Sequence, residues 1–225
     1  IFPGLFQTIL TKRINMRKAK YICFEGTEGS FKTTNAAKLA KYLEDKGFKV
    51  LLTKEPGTPH APLTMELRGI MLDAKYESQM TVAAREFISQ AIRSIHIDKV
   101  IIPALQEYDY IIQDRGILTG LCYGHVCGNS HLFLAQLSSE VCRNFGCDWH
   151  ELYDKVVFLR YNAAVCLALA KVAKQEFAAG DAIEAKGAEF MLRVAKDMNE
   201  MVHAFPHCTI DVEGKTVEEN FNEIL

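Results

Sequence analysis

No stretch of this chain comes near the ~20 consecutive apolar residues that a membrane-spanning helix needs. Neither sign of charge dominates: 26 lysines and arginines stand against 28 aspartates and glutamates, a formal net charge of −2. Long basic runs are absent as well, which argues against a surface dedicated to nucleic acid. Tryptophan occurs once, and no repeat or low-complexity tract interrupts the chain. Seven cysteines, at 23, 122, 127, 142, 147, 166 and 208, lack C-x-x-C or any other zinc-type spacing. Cys122, His125, Cys127, His131, Cys142, Cys147 and His150 crowd one region. We read them as reduced, half-buried residues of helices rather than a metal cluster, and expect a reducing, cytoplasmic setting.

What is present is ordinary globular material. Hydrophobic residues make up 49% and charged residues 24%, so disorder is excluded. A length of 225 residues suits one α/β domain with a small mobile lobe. Residues 1–15 combine Lys12 and Arg13 with Phe2, Leu5, Phe6, Ile9 and Leu10. They are expected to be a leader outside the fold, a presequence of mitochondrial type being the other reading. The single domain is expected over 16–225.

Short apolar runs and helical periodicities alternate along that domain. Strands are expected at 21–24, 49–53, 108–115, 155–160 and 208–212. Helices are expected at 35–43, 62–74, 80–102, 116–127, 132–145, 163–174, from about 187 to 203, and at 217–225. Alternation of this kind implies a parallel sheet covered by helices on both faces. In such sheets ligands lie beyond the carboxyl ends of the strands. Three charged clusters fall at those ends: the turn after residue 24, Glu55-Pro56-Gly57, and Asp114-Arg115.

The first of these turns reads Phe24-Glu25-Gly26-Thr27-Glu28-Gly29-Ser30-Phe31-Lys32-Thr33-Thr34. Strand, glycine-bearing turn, Lys-Thr and helix form the context of a phosphate-binding P-loop. Backbone N–H groups of the turn and of the helix start favour phosphate oxygens. Gly26, Thr27, Glu28, Gly29, Ser30, Lys32, Thr33 and Thr34 are therefore the expected phosphate-binding set. Lys32 adds a point charge, and Thr33 offers a hydroxyl to Mg²⁺. The strict pattern has glycine where Phe31 stands, so the ring must turn away from the ligand or reshape the loop. We expect the loop to have adapted, with the ring packed outward. Asp114 stands where such proteins hold the acid that supports Mg²⁺, and Arg115 can grip a phosphate bidentately. Arg68 and Arg93 lie on helices expected to border the same cleft, and transfer between two anions needs several cations together.

These residues resemble the thymidylate kinase family of nucleoside monophosphate kinases. Phe24 to Gly29 resembles F-E-G-x-[DE]-G, and Lys54 to Pro59 resembles R-E-P-G-G-T. Glu66-Leu67-Arg68 resembles E-x-[IL]-R, and Ala91-Ile92-Arg93 with His96 resembles A-D-R-x-x-H. Ile102 to Leu105 resembles I-x-P-A-L; Asp114-Arg115, Thr119 and Tyr123 resemble D-R-[YF]-x-x-S-x-x-A-Y-Q. Asp181 to Glu184, then Phe190 and Arg193, resemble D-R-I-E and F-x-x-R-V. Order and spacing hold from about residue 20 to 201.

The resemblance implies a three-layer α/β/α P-loop kinase fold with a five-stranded parallel sheet ordered 2-3-1-4-5 and a lid at about 174–187. It implies ATP and Mg²⁺ as cofactors and transfer to a deoxynucleoside monophosphate, dTMP to dTDP first among them. Arg93 would face the pyrimidine, Arg68 and Arg115 the acceptor phosphate, Tyr123 the sugar and Glu28 its 3′-hydroxyl. Glu55 joins the substrate-binding set. Lys32, Arg115 and Lys171 are the expected catalytic cations, Thr33 and Asp114 the metal ligands. No membrane or nucleic-acid partner is expected, and a homodimer is left open.

Four departures from the pattern involve five residues. Phe31 replaces the loop glycine. Ser89 stands four residues before Arg93, where the family has a base-stacking phenylalanine. Ala182 replaces the arginine of D-R-I-E. Leu169 and Ala173 replace lid-helix arginines, leaving Lys171 and Lys174. Two other readings follow: the same transfer to a different base, because of Ser89, or a degenerate kinase fold acting as a binding partner.

Overall fold

The computed structural model describes residues 18–161 and 186–225. The leader expected at 1–15, Lys171, and nearly all of the lid expected at 174–187 lie outside the described residues. Ala182, Leu169 and Ala173 lie outside them too.

Five parallel strands run β1 Lys20–Glu25, β2 Val50–Lys54, β3 Tyr110–Asp114, β4 Lys155–Arg160 and β5 His207–Asp211. Their order in the sheet is β2-β3-β1-β4-β5, as the family resemblance implies. Helices are α1 Lys32–Asp45, α2 Pro62–Leu72, α3 Val82–His96, α4 Ile102–Glu107, α5 Ile117–Val126, α6 His131–Arg143, α7 Gly187–Met201 and α8 Val217–Ile224.

Two apolar clusters flank the sheet. Phe24, Ile112, Val157 and Ile210 meet Leu39, Leu43 and Phe221 of α1 and α8. On the opposite face Tyr21, Cys23, Ile111 and Val156 meet residues of α4 to α7, among them Leu118, Leu121, Leu134, Val194 and Met198. Burial on both faces is why β1, β3 and β4 read as nearly continuous apolar runs rather than as alternating patterns.

One expected element is subdivided. The single helix read over 80–102 is α3, then a π-helical segment Ile97–Ile101, then α4. Pro103 sits in the first turn of α4. It has no N–H for the regular ladder, and a widened turn is one way the chain absorbs that loss. Strand 108–115 shortens to β3, because the Asp109 side chain accepts from the Lys49 backbone N–H at 2.9 Å.

Candidate active site

The turn between β1 and α1 carries its own internal fastening. Gly26 has φ 145°, and a Cβ there would lie 2.5 Å from the Leu159 carbonyl oxygen, so the first loop glycine is required by its neighbours. The Ser30 hydroxyl donates to the Thr27 carbonyl at 2.8 Å. The Lys32 ammonium donates to that carbonyl and lies 3.4 Å from Ser30 Oγ.

Phe31 adopts the left-handed conformation, φ 62°, ψ 21°, immediately before α1. It takes the backbone shape for which a glycine is the easy choice. Its ring meets Tyr161 beyond β4, centroids 6.3 Å apart and edge to face. The loop is thus kept and the ring is directed aside, although the residue is half-buried rather than packed deep under the helix.

Lys32 is buried, and that burial, reinforced by the charge of Arg115, pushes its ammonium down to about 7. An anion beside it acts in the opposite direction. Thr33 Oγ1 donates to Asp114 Oδ2 at 2.6 Å, joining the start of α1 to the end of β3. Asp114 Oδ1 is buried without a hydrogen-bond partner. A hydroxyl and a carboxylate side by side, with one carboxylate oxygen unused, suit a hard divalent cation such as Mg²⁺.

Beside the loop opens a cleft lined by Glu28, Glu55, Arg68, Arg93, Arg115 and Tyr123 among others. All six of the expected substrate-binding residues therefore converge. Arg115 has φ 62°, a strained shape for a non-glycine residue. Its guanidinium lies 3.9 Å from Glu28 Oε1 and 5.8 Å from the centre of the Tyr123 ring. Arg68 donates to the Pro56 carbonyl at 2.9 Å. Ser89 also lines the cleft.

Glu55 lines the cleft and is also paired with neighbours on α3. Oε2 accepts from Arg93 Nε at 3.1 Å, and Oε1 meets His96 Nδ1 at 2.9 Å. His96 Nε2 continues to Thr53 Oγ1 at 2.9 Å. Burial would raise the Glu55 pKa, but the Arg93 charge and the contacts with His96 outweigh it and hold the carboxyl below its usual range. Both oxygens are engaged, so Glu55 serves to orient Arg93. Burial likewise works against the Arg93 charge, and the Glu55 carboxylate outweighs it. Arg93 Nη1 remains buried without a partner, a donor that an acceptor in the cleft would satisfy.

Two contributors stand in the quoted motifs but received no role in the sequence reading. His96 lies one helical turn beyond Arg93, and that i, i+3 spacing on an apolar face was the available signal. Glu25 is fully buried, and its carboxylate accepts from the Gly116 N–H at 2.9 Å, the Thr119 N–H at 3.2 Å and the Thr119 hydroxyl. It fixes the turn that carries Arg115. An acid closing an otherwise apolar strand was its signal.

Six cysteines among the described residues are unbridged, and no helix described is long and apolar enough to cross a membrane. Comparison with known proteins identifies relatives along nearly the whole chain. A family model described as thymidylate kinase matches residues 24–224. A thymidylate kinase from Caldicellulosiruptor saccharolyticus is 31% identical over 209 residues, covering 92% of this chain and 94% of its own. One from Pelobacter propionicus is 30% identical over 210 residues, covering 91% of each. The crystal structure of thymidylate kinase from Ehrlichia chaffeensis matches in fold, with a TM-score of 0.65, 21% identity and coverage of 92% and 96%. With a family model matched over most of its length and two relatives at 30% identity or more over nine-tenths of both chains, the chain belongs to the thymidylate kinase family.

Proposed function

We infer that the protein transfers the γ-phosphoryl group of ATP to the phosphate of dTMP, giving dTDP and ADP. The observation that carries this is the convergence of Arg68, Arg93 and Arg115 in one cleft beside the loop. Two anions must be brought together against their repulsion, and a fixed array of cations does this without reorganising during the transfer.

In this reading the loop from Gly26 to Ser30, with Lys32, Thr33 and Thr34, holds the ATP phosphates. Thr33 and Asp114 would hold Mg²⁺, which when bound would offset the charge of the phosphates. Arg68 and Arg115 hold the acceptor phosphate, and Arg115 remains on it as the new bond forms. Arg93, fixed by Glu55 and His96, directs its unpartnered Nη1 at a carbonyl oxygen of the base. Tyr123 flanks the sugar, and Glu28 lies toward the 3′-hydroxyl. Lys171, outside the described residues, is kept as a catalytic cation on the family resemblance.

ADP release measured over a panel of nucleoside monophosphates tests the assignment. Turnover highest with dTMP is expected; equal turnover across purines and pyrimidines would overturn it. Ser89 on the cleft wall favours one second reading, transfer to a monophosphate with another pyrimidine base, which the same panel decides.

A further inference from the structure

Away from the loop and the cleft, three ligand-bearing side chains from three helices meet. His125 near the end of α5 places Nδ1 3.0 Å from Asp197 Oδ2, and His131 at the start of α6 places Nε2 3.2 Å from Asp197 Oδ1. The ligating atoms all lie within 4.8 Å of one another. The imidazole rings stack with centroids 3.6 Å apart. Asp197, on α7, is 7% exposed. His131 Nδ1 is buried without a hydrogen-bond partner.

We propose that His125, His131 and Asp197 form a binding site for a borderline divalent transition metal, Zn²⁺ foremost, that ties α5 and α6 to α7. Bonds of about 2.0–2.2 Å at tetrahedral angles separate neighbouring ligand atoms by roughly 3.3–3.5 Å. The 3.0 and 3.2 Å separations run to the two different Asp197 oxygens, and one ligand atom from each residue lies within 4.8 Å of the others, so binding draws the three together and turns the imidazoles out of their stack. Two imidazoles and one carboxylate select Zn²⁺, Co²⁺ or Ni²⁺ over Mg²⁺ or Ca²⁺, which take oxygen ligands. Three protein donors leave the fourth position to water.

Charge favours the same occupant. A buried carboxylate needs a compensating cation. Among the described residues the ion-pair partners of Asp197 are these two imidazoles. Two stacked imidazolium rings 3.6 Å apart would repel each other, whereas one divalent ion neutralises the carboxylate and leaves both rings neutral. The helices it would join also frame the substrate cleft. Tyr123 on α5 meets Phe190 on α7 at 6.0 Å and places its hydroxyl 3.9 Å from Met191 Sδ. The ion would act as a clamp behind the sugar end of that cleft.

The sequence offered His125 and His131 within a crowd of cysteines, and its spacing pointed away from metal. Asp197 lies 66 and 72 residues from the two histidines, so the triad exists only in the folded chain.

The test is titration of metal-free protein with Co²⁺, with Mg²⁺ in excess to occupy oxygen-rich sites, followed by visible d–d absorption and thermal unfolding. One equivalent with tetrahedral-type absorption is expected, displaced by Zn²⁺. Zn²⁺ at a hundredfold excess over its Kd should raise Tm by roughly 5–10 °C. His125→Gln and His131→Gln retain a donor toward Asp197 but remove a metal ligand. Each should lose both the absorption and the metal-dependent Tm shift, measured against its own metal-free Tm. Absorption and shift that persist in both variants, or a parent protein that shows neither, would overturn the site.

Discussion

Phe31 illustrates how a single residue departs from a motif without breaking it. Its left-handed φ of 62° costs roughly 1–2 kcal/mol for a residue with a Cβ. The edge-to-face contact with Tyr161 returns about 0.5–1.5 kcal/mol. Phe31→Gly removes strain and contact together and adds freedom to the unfolded chain. We expect stability within about 1 kcal/mol of the parent by urea denaturation, and a similar ATP affinity. A large gain in ATP affinity would show that the ring obstructs the loop. Lys32 and Arg115 have no such latitude. Lys32→Ala should abolish transfer while preserving the fold, and Arg115→Ala should lower kcat/KM for every monophosphate by at least ~10²-fold. Steady-state rates with two or more monophosphates check both. A loss confined to one base would contradict a phosphate role for Arg115. The loop residues were legible in sequence because strand, turn and helix start are consecutive in the chain. The conformation that admits Phe31 was not, since it depends on Tyr161, 130 positions away.

Among the elements, α5 shows best how helix and site constrain each other. Gly120 lies in its interior, where alanine would ordinarily add roughly 0.5–1 kcal/mol of helix stability. A Cβ at Gly120 would lie 2.6 Å from Arg93 Nη2. Arg93 cannot yield freely, because Glu55 holds its Nε. Gly120→Ala should therefore leave Tm nearly unchanged while raising KM for the monophosphate about tenfold or more. Paired thermal and kinetic measurements separate the two effects. A lower Tm with unchanged KM would show the helix, not Arg93, giving way. The periodicity of α5 was readable from its apolar residues, but this reason for the glycine was not, because Arg93 reaches it from α3. The interruption after α3 was similarly hidden, although Pro103 was in view.

At the scale of the whole molecule, Thr53, Glu55, Arg93 and His96 form a buried polar chain between the end of β2 and α3. Removing one member of a buried ion pair costs about 3–5 kcal/mol, since it leaves the other charge unpaired. Glu55→Gln should lose about that much stability at pH 7. The folded-state pKa of Glu55 lies below its ordinary value of 4.5, so its contribution is present above that value and lost as pH falls through the folded one. The gap between parent and Glu55→Gln should therefore narrow as pH drops below about 4.5. Denaturant titrations from pH 7 to 3 check this; a gap independent of pH would remove the ionised pair from the account.

The sequence by itself determined the alternation of strands and helices, the parallel sheet, the glycine-bearing loop, and three of the arginines that line the cleft, Arg85 not among them. Each of these rests on local periodicity or on motifs whose residues are near neighbours in the chain. Tertiary structure alone decided that Glu55 pairs with Arg93 and His96 at the cleft wall, that Glu25 holds the turn carrying Arg115, and that Asp197 meets two histidines from other helices. Such pairings follow from how helices seat on a twisted sheet. A shift of one turn in any of them would carry the side chains beyond hydrogen-bond reach, and no pattern confined to one segment records that placement.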